Sequence, residues 1–245
     1  MTFGDHLEEL RQRLFSCILA FLGVLFVCFI DQNFYMSIIL KPHIVTMQKM
    51  NYATTIQVLR YEESFFCYLK VSVIAALILT TPYTFLQIWQ FVAEGLKENE
   101  KKYLRSFFPF SIIFFILGIL FGYFILIPLG LQFLSGYGNN IQLGITLSSY
   151  ISLFFLLTFL CGIIFELPLV MLFLTRLNII NSNYFLNNWR YAVLIAFIIA
   201  AVFTPPDVVT QLLMAGPIIG LYFSGIFLCH LFERGKEIQN YFQES

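Results

Sequence analysis

The sequence YISLFFLLTFLCGIIFELPLVMLFL, residues 150–174, carries a single charged residue, Glu166, in an otherwise uncharged and largely apolar run. About 20 consecutive apolar residues form a helix long enough to cross the hydrocarbon core of a bilayer. Comparable runs recur along the chain. Because they are continuous and do not alternate with polar residues, they favour spanning helices over the strands of a membrane β-barrel. We therefore predict an all-α integral membrane protein.

The composition of the whole chain supports this fold class. Of 245 residues, 59% are hydrophobic, 18% are aromatic and only 11% are charged. A soluble domain usually has about 25% charged residues, so a soluble globule is excluded, and the apolar excess also excludes intrinsic disorder. The formal net charge is zero, so we expect no nucleic-acid partner.

The apolar runs predict one membrane domain, residues 1–245, with six spans. An amphipathic helix at about residues 5–13 lies on the membrane surface before the first span, because Leu7 and Leu10 share one of its faces. The fifth run is short: its residues, at about 1.5 Å each, extend only about 20 Å against a core of about 30 Å. We expect the bilayer to thin there, or a partner to cover the mismatch. The predicted spans are residues 14–30, 64–92, 107–133, 150–174, 191–203 and 208–231.

The basic residues predict the orientation of these spans, because cytoplasmic loops carry an excess of Lys and Arg. With both termini inside, the basic residues of the inner side clearly outnumber those of the outer side. The inner set is Arg11, Arg13, Lys97, Lys101, Lys102, Arg105, Arg176, Arg190, Arg234 and Lys236, and the outer set is Lys41, Lys49 and Arg60.

Glu166 is the clearest candidate functional residue, because an acid in the middle of a spanning helix costs about 2.5–3.5 kcal/mol. Pro168 follows it and frees a backbone carbonyl of the preceding turn. We interpret the pair as a polar site for a partner's polar group or for a proton. The alternative is an internally hydrogen-bonded acid that only fixes helix packing.

Glu9 and Glu100 form a second candidate site at the predicted inner face, and Arg11 lies beside Glu9. Ordinary ion pairing, such as Glu9 with Arg13 four residues later, is one interpretation. The other is that two carboxylates on one face bind guanidinium groups through forked hydrogen bonds. Spacing alone does not decide between the two.

No motif for catalysis or for a cofactor is present. The sequence contains no GxxxxGK[ST], GxSxG or HExxH, its five cysteines form no CxxC pair, and its three histidines lack the spacing of metal ligands. We therefore predict neither an enzyme, a cofactor nor a metal site. Any work that the protein does must draw its energy from outside the chain, for example from a membrane potential.

Several segments, taken in order, resemble TatC proteins, the multispanning receptor subunits of the twin-arginine protein translocase. The likeness covers essentially the whole chain, although Glu94 stands where family members often have Pro. The matching segments are His6-Leu-Glu-Glu-Leu-Arg-Gln-Arg-Leu14, Glu100-Lys-Lys102, Phe107-Phe-Pro-Phe110 with Leu117-Gly-Ile-Leu-Phe-Gly-Tyr-Phe124 and Pro128, Gly162-Ile-Ile-Phe-Glu-Leu-Pro168, and Arg190-Tyr191 with Thr204-Pro-Pro-Asp-Val-Val-Thr-Gln211.

The resemblance implies six helices in a concave, glove-like arrangement with both termini in the cytoplasm. It implies recognition of folded cargo through Arg-Arg signal peptides, with export driven by the proton-motive force. By position, Glu9, Glu100 and Phe91 match residues of the signal-peptide site, to which we add Arg11. Glu166 and Gln211 match intramembrane positions that contact the single-span partners TatA and TatB. The resemblance also implies several copies of the chain in the complex.

Two alternatives stay open at this stage. A proton-coupled secondary transporter of small solutes could use Glu166 as its relay, although we find no internal repeat of the kind common in such folds. The predicted compartment is a bacterial inner membrane, and an organelle-encoded membrane protein is the other candidate.

Overall fold

The computed structural model of the chain describes residues 3–96, 98–136, 145–203 and 208–244, and within these the side chains of residues 3, 5, 6, 98–106 and 235–244 are left undescribed. The described residues are almost entirely helical. Their helices are α1 (Phe3–Ile30), α2 (Gln32–Lys49), α3 (Tyr61–Glu94), α4 (Glu98–Phe121), a π-helical turn (Gly122–Leu126), α5 (Ile127–Gly136), α6 (Leu147–Ile164), α7 (Leu167–Arg176), α8 (Ser182–Asn187), α9 (Trp189–Phe203) and α10 (Val208–Glu244).

Five helical segments among the described residues are long and apolar enough to cross a membrane. The helix α9 is also apolar but has only 15 residues. Many large apolar side chains on these helices face outward, among them Phe26 at 70% and Val202 at 71% exposure, as expected where lipid replaces water around the fold. The five segments are Leu7–Ile30, Tyr61–Glu94, Phe107–Gly136, Leu147–Arg176 and Val208–Arg234.

The first helix is continuous from Phe3 to Ile30. The predicted surface helix at residues 5–13 and the predicted first span at residues 14–30 are therefore parts of one element. The sequence explains this continuity, since neither Gly nor Pro occurs between residues 5 and 22 to interrupt the helix. The polar face of the first turns is consequently rigidly connected to the apolar span that follows.

The predicted fourth span is divided at Glu166 into α6 and α7. Pro168 has no N–H to donate to the carbonyl of Ile164, and its ring clashes with a helical carbonyl in that position. The helical hydrogen-bond pattern is interrupted here, although Phe165 and Glu166 keep right-handed helical dihedrals. The Glu166 N–H donates to Ile163 O at 3.0 Å, and α7 begins with the Val170 N–H donating to Glu166 O at 2.9 Å. Glu166 therefore lies at the break between α6 and α7, within the candidate span Leu147–Arg176.

Contacts between helices define the two ends of the bundle. We call the end at which α1 begins the amino-terminal end. There the ring of Trp89, near the end of α3, contacts Phe107, near the start of α4, at a centroid distance of 6.3 Å. It also contacts Phe173, near the end of α7, at 4.9 Å. At the opposite end, the start of α6 meets the segment before α3, because the Gln57 N–H donates to Ile145 O at 2.9 Å. The largest buried cluster lies between these ends and joins α2, α3, α5, α6, α9 and α10.

Candidate functional site

A polar cluster joins α1 to α3 at the amino-terminal end of the bundle. We call Glu9, Arg13, Gln87, Gln90 and Glu94 the α1–α3 cluster. The Arg13 guanidinium lies at its centre: Nε donates to Glu9 Oε1 at 2.7 Å and Nη1 to Gln90 Oε1 at 2.7 Å. Nη2 also donates to Glu9 Oε1 and lies 3.5 Å from Glu94 Oε1. Two carboxylates from different helices thus share one guanidinium.

Helix periodicity explains how the cluster forms. Glu9 and Arg13 are four residues apart on α1, so they are neighbours on its surface. Gln87, Gln90 and Glu94 follow at spacings of three and four on α3 and share one face of that helix. The packing of α1 along α3 brings the two polar faces together.

The cluster is partly buried and carries an excess of negative charge. The side chains of Glu9 and Arg13 are each 17% exposed, and that of Glu94 is 33% exposed. Glu9 Oε2 is buried and has no hydrogen-bond partner among the described residues. A buried carboxylate oxygen without a donor is unfavourable, so Glu9 has unused capacity to accept a further hydrogen bond.

The other residues predicted for this site have different surroundings. Arg11 points away from the cluster and pairs with Glu8 at 3.7 Å, where both side chains are largely exposed. Phe91 is half-buried on α3, directly after Gln90. Glu100 lies in the first turn of α4, but its side chain is outside the described residues, so its predicted pairing with Glu9 stays a prediction.

Glu94 is a residue of this site that the sequence interpretation missed. Its contact with the guanidinium that Glu9 binds makes it, among the described residues, the second carboxylate of the α1–α3 cluster. The polar stripe of Gln87, Gln90 and Glu94 on one face of α3 was the available signal. Such a stripe is common on helix surfaces, however. It becomes part of the α1–α3 cluster because α3 packs against α1.

Glu166 is buried, 8% exposed, and among the described side chains its carboxyl group has one hydrogen-bond partner, on a neighbouring helix. The hydroxyl of Ser111 on α4, itself fully buried, donates to Glu166 Oε2 at 2.6 Å. Glu166 Oε1 is buried with no hydrogen-bond partner among the described residues. The carboxyl group of Glu166 therefore accepts a hydrogen bond at Oε2 and has unused hydrogen-bonding capacity at Oε1.

Close packing of α4 against α6 sets the register that brings Ser111 to Glu166. A Cβ added at Gly118 would lie 2.5 Å from Cys161 O, and one added at Gly122 would lie 2.9 Å from the Cα of Thr158. Only glycine permits backbones to approach this closely. The two helices run antiparallel. Ser111 precedes Gly118 on α4, and Glu166 follows Cys161 beyond the end of α6, so the same register brings Ser111 and Glu166 together.

Gln211, the second predicted intramembrane residue, has a separate environment. Its side-chain amide on α10 donates to the backbone carbonyl of Phe197 on α9 at 3.1 Å. No described contact joins Gln211 to Glu166. The structure therefore presents the two residues as distinct polar positions on different helix pairs.

Neither a catalytic group nor a metal site emerges from the described side chains. Ser182, His230 and Glu233 do lie together, but the Ser182 hydroxyl donates to the carboxylate of Glu233 and is 3.5 Å from His230 Nδ1. The Ser182 N–H also donates to Glu233 Oε1 at 3.0 Å, so Glu233 caps the start of α8. No group of three or more His, Cys, Asp or Glu residues in the described part of the chain could hold a metal ion.

Comparison with known proteins gives one consistent result. Residues 5–217 match the model of the family described as Sec-independent protein translocase protein (TatC). A TatC protein of Campylobacter jejuni is 36% identical over 219 residues, which covers 89% of each chain. A TatC protein of Desulforapulum autotrophicum is 39% identical over 242 residues, covering 96% of this chain and 86% of the relative.

Two further matches, one of them to a solved structure, agree with this result. A crystal structure of the twin-arginine translocase receptor TatC superimposes with a TM-score of 0.82 at 34% identity, covering 92% of this chain and 98% of the other. An uncharacterised TatC-like protein of the alga Gracilaria tenuistipitata var. liui is 34% identical over 236 residues, or 96% of each chain.

Proposed function

The chain belongs to the TatC family, a membrane component of the Sec-independent protein translocase, and from this premise we propose that it is the subunit that recognises Arg-Arg signal peptides of folded cargo. The family supplies a translocase component and not an enzyme. We propose that the proton-motive force supplies the energy for transport, since the sequence contains no nucleotide-binding loop.

The observation that carries this proposal is the α1–α3 cluster. Its carboxylates already bind one guanidinium, that of Arg13, through Nε and Nη2. Glu9 Oε2 is buried and has no donor among the described residues, so an incoming arginine that displaces the groups covering this atom would supply the missing donor. We place Glu100, Arg11 and Phe91 around the same peptide, with Glu100 as the acceptor for the second arginine.

The chemistry of this site favours arginine over lysine. A guanidinium presents five N–H donors in a planar fork that fits a carboxylate bidentately, whereas an ammonium is a compact and strongly hydrated charge. The neighbouring contact of Trp89 with Phe107 lies at the same end of the bundle. A peptide bound here could keep its arginines at the membrane surface while its apolar segment enters the lipid.

We further propose six spans with both termini in the cytoplasm, with α9 as the fifth. At about 1.5 Å per residue, the 15 residues of α9 extend about 22 Å, well short of a core of about 30 Å. The bilayer is then thinned around α9. A bacterial inner membrane is the proposed location, with an organelle membrane as the alternative.

Within the membrane, Glu166 and Gln211 are the proposed contacts for single-span partners of the TatA and TatB type. Glu166 supports this role because Oε1 is buried and has no partner among the described residues. A polar side chain on a partner helix would supply the missing hydrogen bond. We also propose that the complex contains several copies of this chain.

Photocrosslinking tests the recognition of the signal peptide. A photoreactive probe at Gln12, exposed on α1, reports on the α1–α3 cluster, and one at Tyr61, exposed at the opposite end, is the matched control. We expect an Arg-Arg peptide to crosslink to Gln12 and not to Tyr61, and a Lys-Lys peptide to crosslink far less. Equal crosslinking of the two peptides, or none at Gln12, contradicts the proposal.

A further inference from the structure

The α1–α3 cluster is a guanidinium site that the chain's own Arg13 occupies. We propose that Glu9 and Glu94 together bind one arginine of the cargo peptide, and that this arginine takes the place of Arg13. The inference rests on the function proposed above and adds two features to it: Glu94 as a binding residue, and Arg13 as a resident competitor.

The geometry of Arg13 shows what the site accepts. Its guanidinium bridges Glu9 on α1 and Glu94 on α3, while Nη1 also reaches Gln90 at 2.7 Å and Gln87 at 3.4 Å. All of these acceptors lie within reach of a single planar group. Any other guanidinium placed there would find the same acceptors, and an ammonium could not satisfy them all at once.

The charge balance favours replacement of Arg13 by the incoming arginine over departure of Arg13 without a replacement. Glu9 is only 17% exposed, so removal of Arg13 without replacement leaves a mostly buried charge uncompensated, which is costly. A second guanidinium restores the lost contacts when it enters. The exchange therefore discriminates against peptides that cannot supply such a group.

Glu94 gives the site two negative charges for one positive charge. With Arg13 in place, Glu94 Oε1 is at 3.5 Å from the guanidinium, the outer limit of a hydrogen bond, and its side chain is 33% exposed. Glu9 Oε2 also has no donor among the described residues. An arriving arginine can approach Glu94 Oε1 from its exposed side while Arg13 is still in place. Because Glu9 Oε2 is buried, the arriving arginine donates to that atom only after Arg13 has left the site.

The alternative is that Arg13 permanently positions Glu9 while the peptide uses Oε2 alone. The two interpretations predict opposite effects of Arg13→Gln. If Arg13 competes, its removal raises the fraction of open sites, and the apparent dissociation constant for an Arg-Arg peptide falls by that factor. If Arg13 positions Glu9, its removal weakens peptide binding.

The test measures equilibrium binding of a fluorescent peptide, an Arg-Arg pair followed by an apolar segment, to the full chain in lipid nanodiscs. We expect Arg13→Gln to tighten binding about 5- to 10-fold, as for a site that is open about a tenth to a fifth of the time. In that background we expect Glu94→Gln to weaken binding about 10-fold. Arg60→Gln and Glu62→Gln, at the far end of the bundle, are matched controls without effect.

Weaker or unchanged binding in Arg13→Gln overturns the role of Arg13, and unchanged binding on adding Glu94→Gln overturns the role of Glu94. A measurement on the wild-type chain avoids any effect of substitution on folding. With ¹⁵N-labelled arginine, the Nε–H signal of Arg13, identified by its loss in Arg13→Lys, should shift when unlabelled Arg-Arg peptide is added. Its persistence at saturation overturns the exchange.

Failure of the broader proposal would look different. If the wild-type chain binds Arg-Arg and Lys-Lys peptides equally, recognition of arginine pairs is itself wrong. If it prefers Arg-Arg but Arg13 neither shifts nor competes, only the exchange is wrong.

Discussion

At the scale of single residues, the hydrogen bond from Ser111 to Glu166 is the most testable contact inside the bundle. Ser111→Ala leaves both carboxyl oxygens of Glu166 without a protein donor among the described residues, and a lost buried hydrogen bond costs about 1–3 kcal/mol. We expect the free energy of unfolding in mild detergent to fall by that amount and Ser111→Thr to recover part of it. Ser224→Ala is the control, because the exposed Ser224 hydroxyl donates to the backbone carbonyl of Leu221 on its own helix. Equal stability of both alanine variants contradicts the account.

His43 on α2, outside the five candidate spans, provides a test by pH. It is 1% exposed, packs on the ring of Tyr150 at 5.2 Å, and neither ring nitrogen has a partner among the described residues. Burial lowers the pKa of His43 below its usual 6.5 by disfavouring the charged ring. The unfolded chain therefore binds more protons, so stability is complete above about pH 6.5 and falls as the pH drops below that value.

The measurement is the free energy of unfolding of wild type and His43→Met between pH 7.5 and 5.5. We expect the wild type to lose stability more steeply than the variant, by at most about 1.4 kcal/mol per pH unit, the limit for one proton. Parallel curves for the two proteins would show that His43 is not buried in its neutral form.

At the scale of helices, the contact of α4 with α6 depends on glycine. In Gly118→Ala the new Cβ would lie 2.5 Å from a backbone oxygen, which cannot move aside as a side chain can. We expect a loss of about 1–3 kcal/mol of stability from overpacking. Gly220→Ala, where nothing lies within 4 Å, should be neutral or stabilising. A Gly118→Ala variant as stable as Gly220→Ala would disprove the close approach.

The helical fold class could be predicted from the sequence, whereas the contacts between helices could not. The apolar runs predicted an all-α membrane protein, and Pro168 indicated a disturbance next to Glu166. The π-helical turn at Gly122–Leu126 and the hydrogen bond from Ser111 to Glu166 could not be predicted from the sequence. Ser111 and Glu166 are 55 positions apart, and their meeting depends on the register between two helices, which no local pattern encodes.

The same limit applies to the candidate binding site. The i,i+4 spacing predicted the pair of Glu9 and Arg13, which the structure contains. The resemblance assigned Glu100 as the second carboxylate, which stays a prediction because its side chain is outside the described residues, and contacts among the described side chains add Glu94. Glu94 belongs to the site only because α1 packs along the end of α3, a tertiary contact across 81 positions.

At the scale of the whole molecule, the proposed six-span arrangement predicts that the ends of α9 face opposite sides of the membrane. Tyr191 and Val202, 67% and 71% exposed, are near those ends. In a background without native cysteines, we expect Tyr191→Cys to react with an impermeant maleimide only from the cytoplasmic side and Val202→Cys only from the other. Labelling of both from one side means that α9 does not cross.

The proposed function depends on the recognition of paired arginines by carboxylates at the amino-terminal end of the bundle. The direct measurement is the ratio of dissociation constants for Lys-Lys and Arg-Arg peptides, in wild type and in Glu9→Gln, with Glu62→Gln as control. We predict a ratio of at least about 10 in wild type and in the control, falling to near 1 in Glu9→Gln. A ratio that is unchanged by Glu9→Gln, or that is near 1 in the wild type, would contradict the claim.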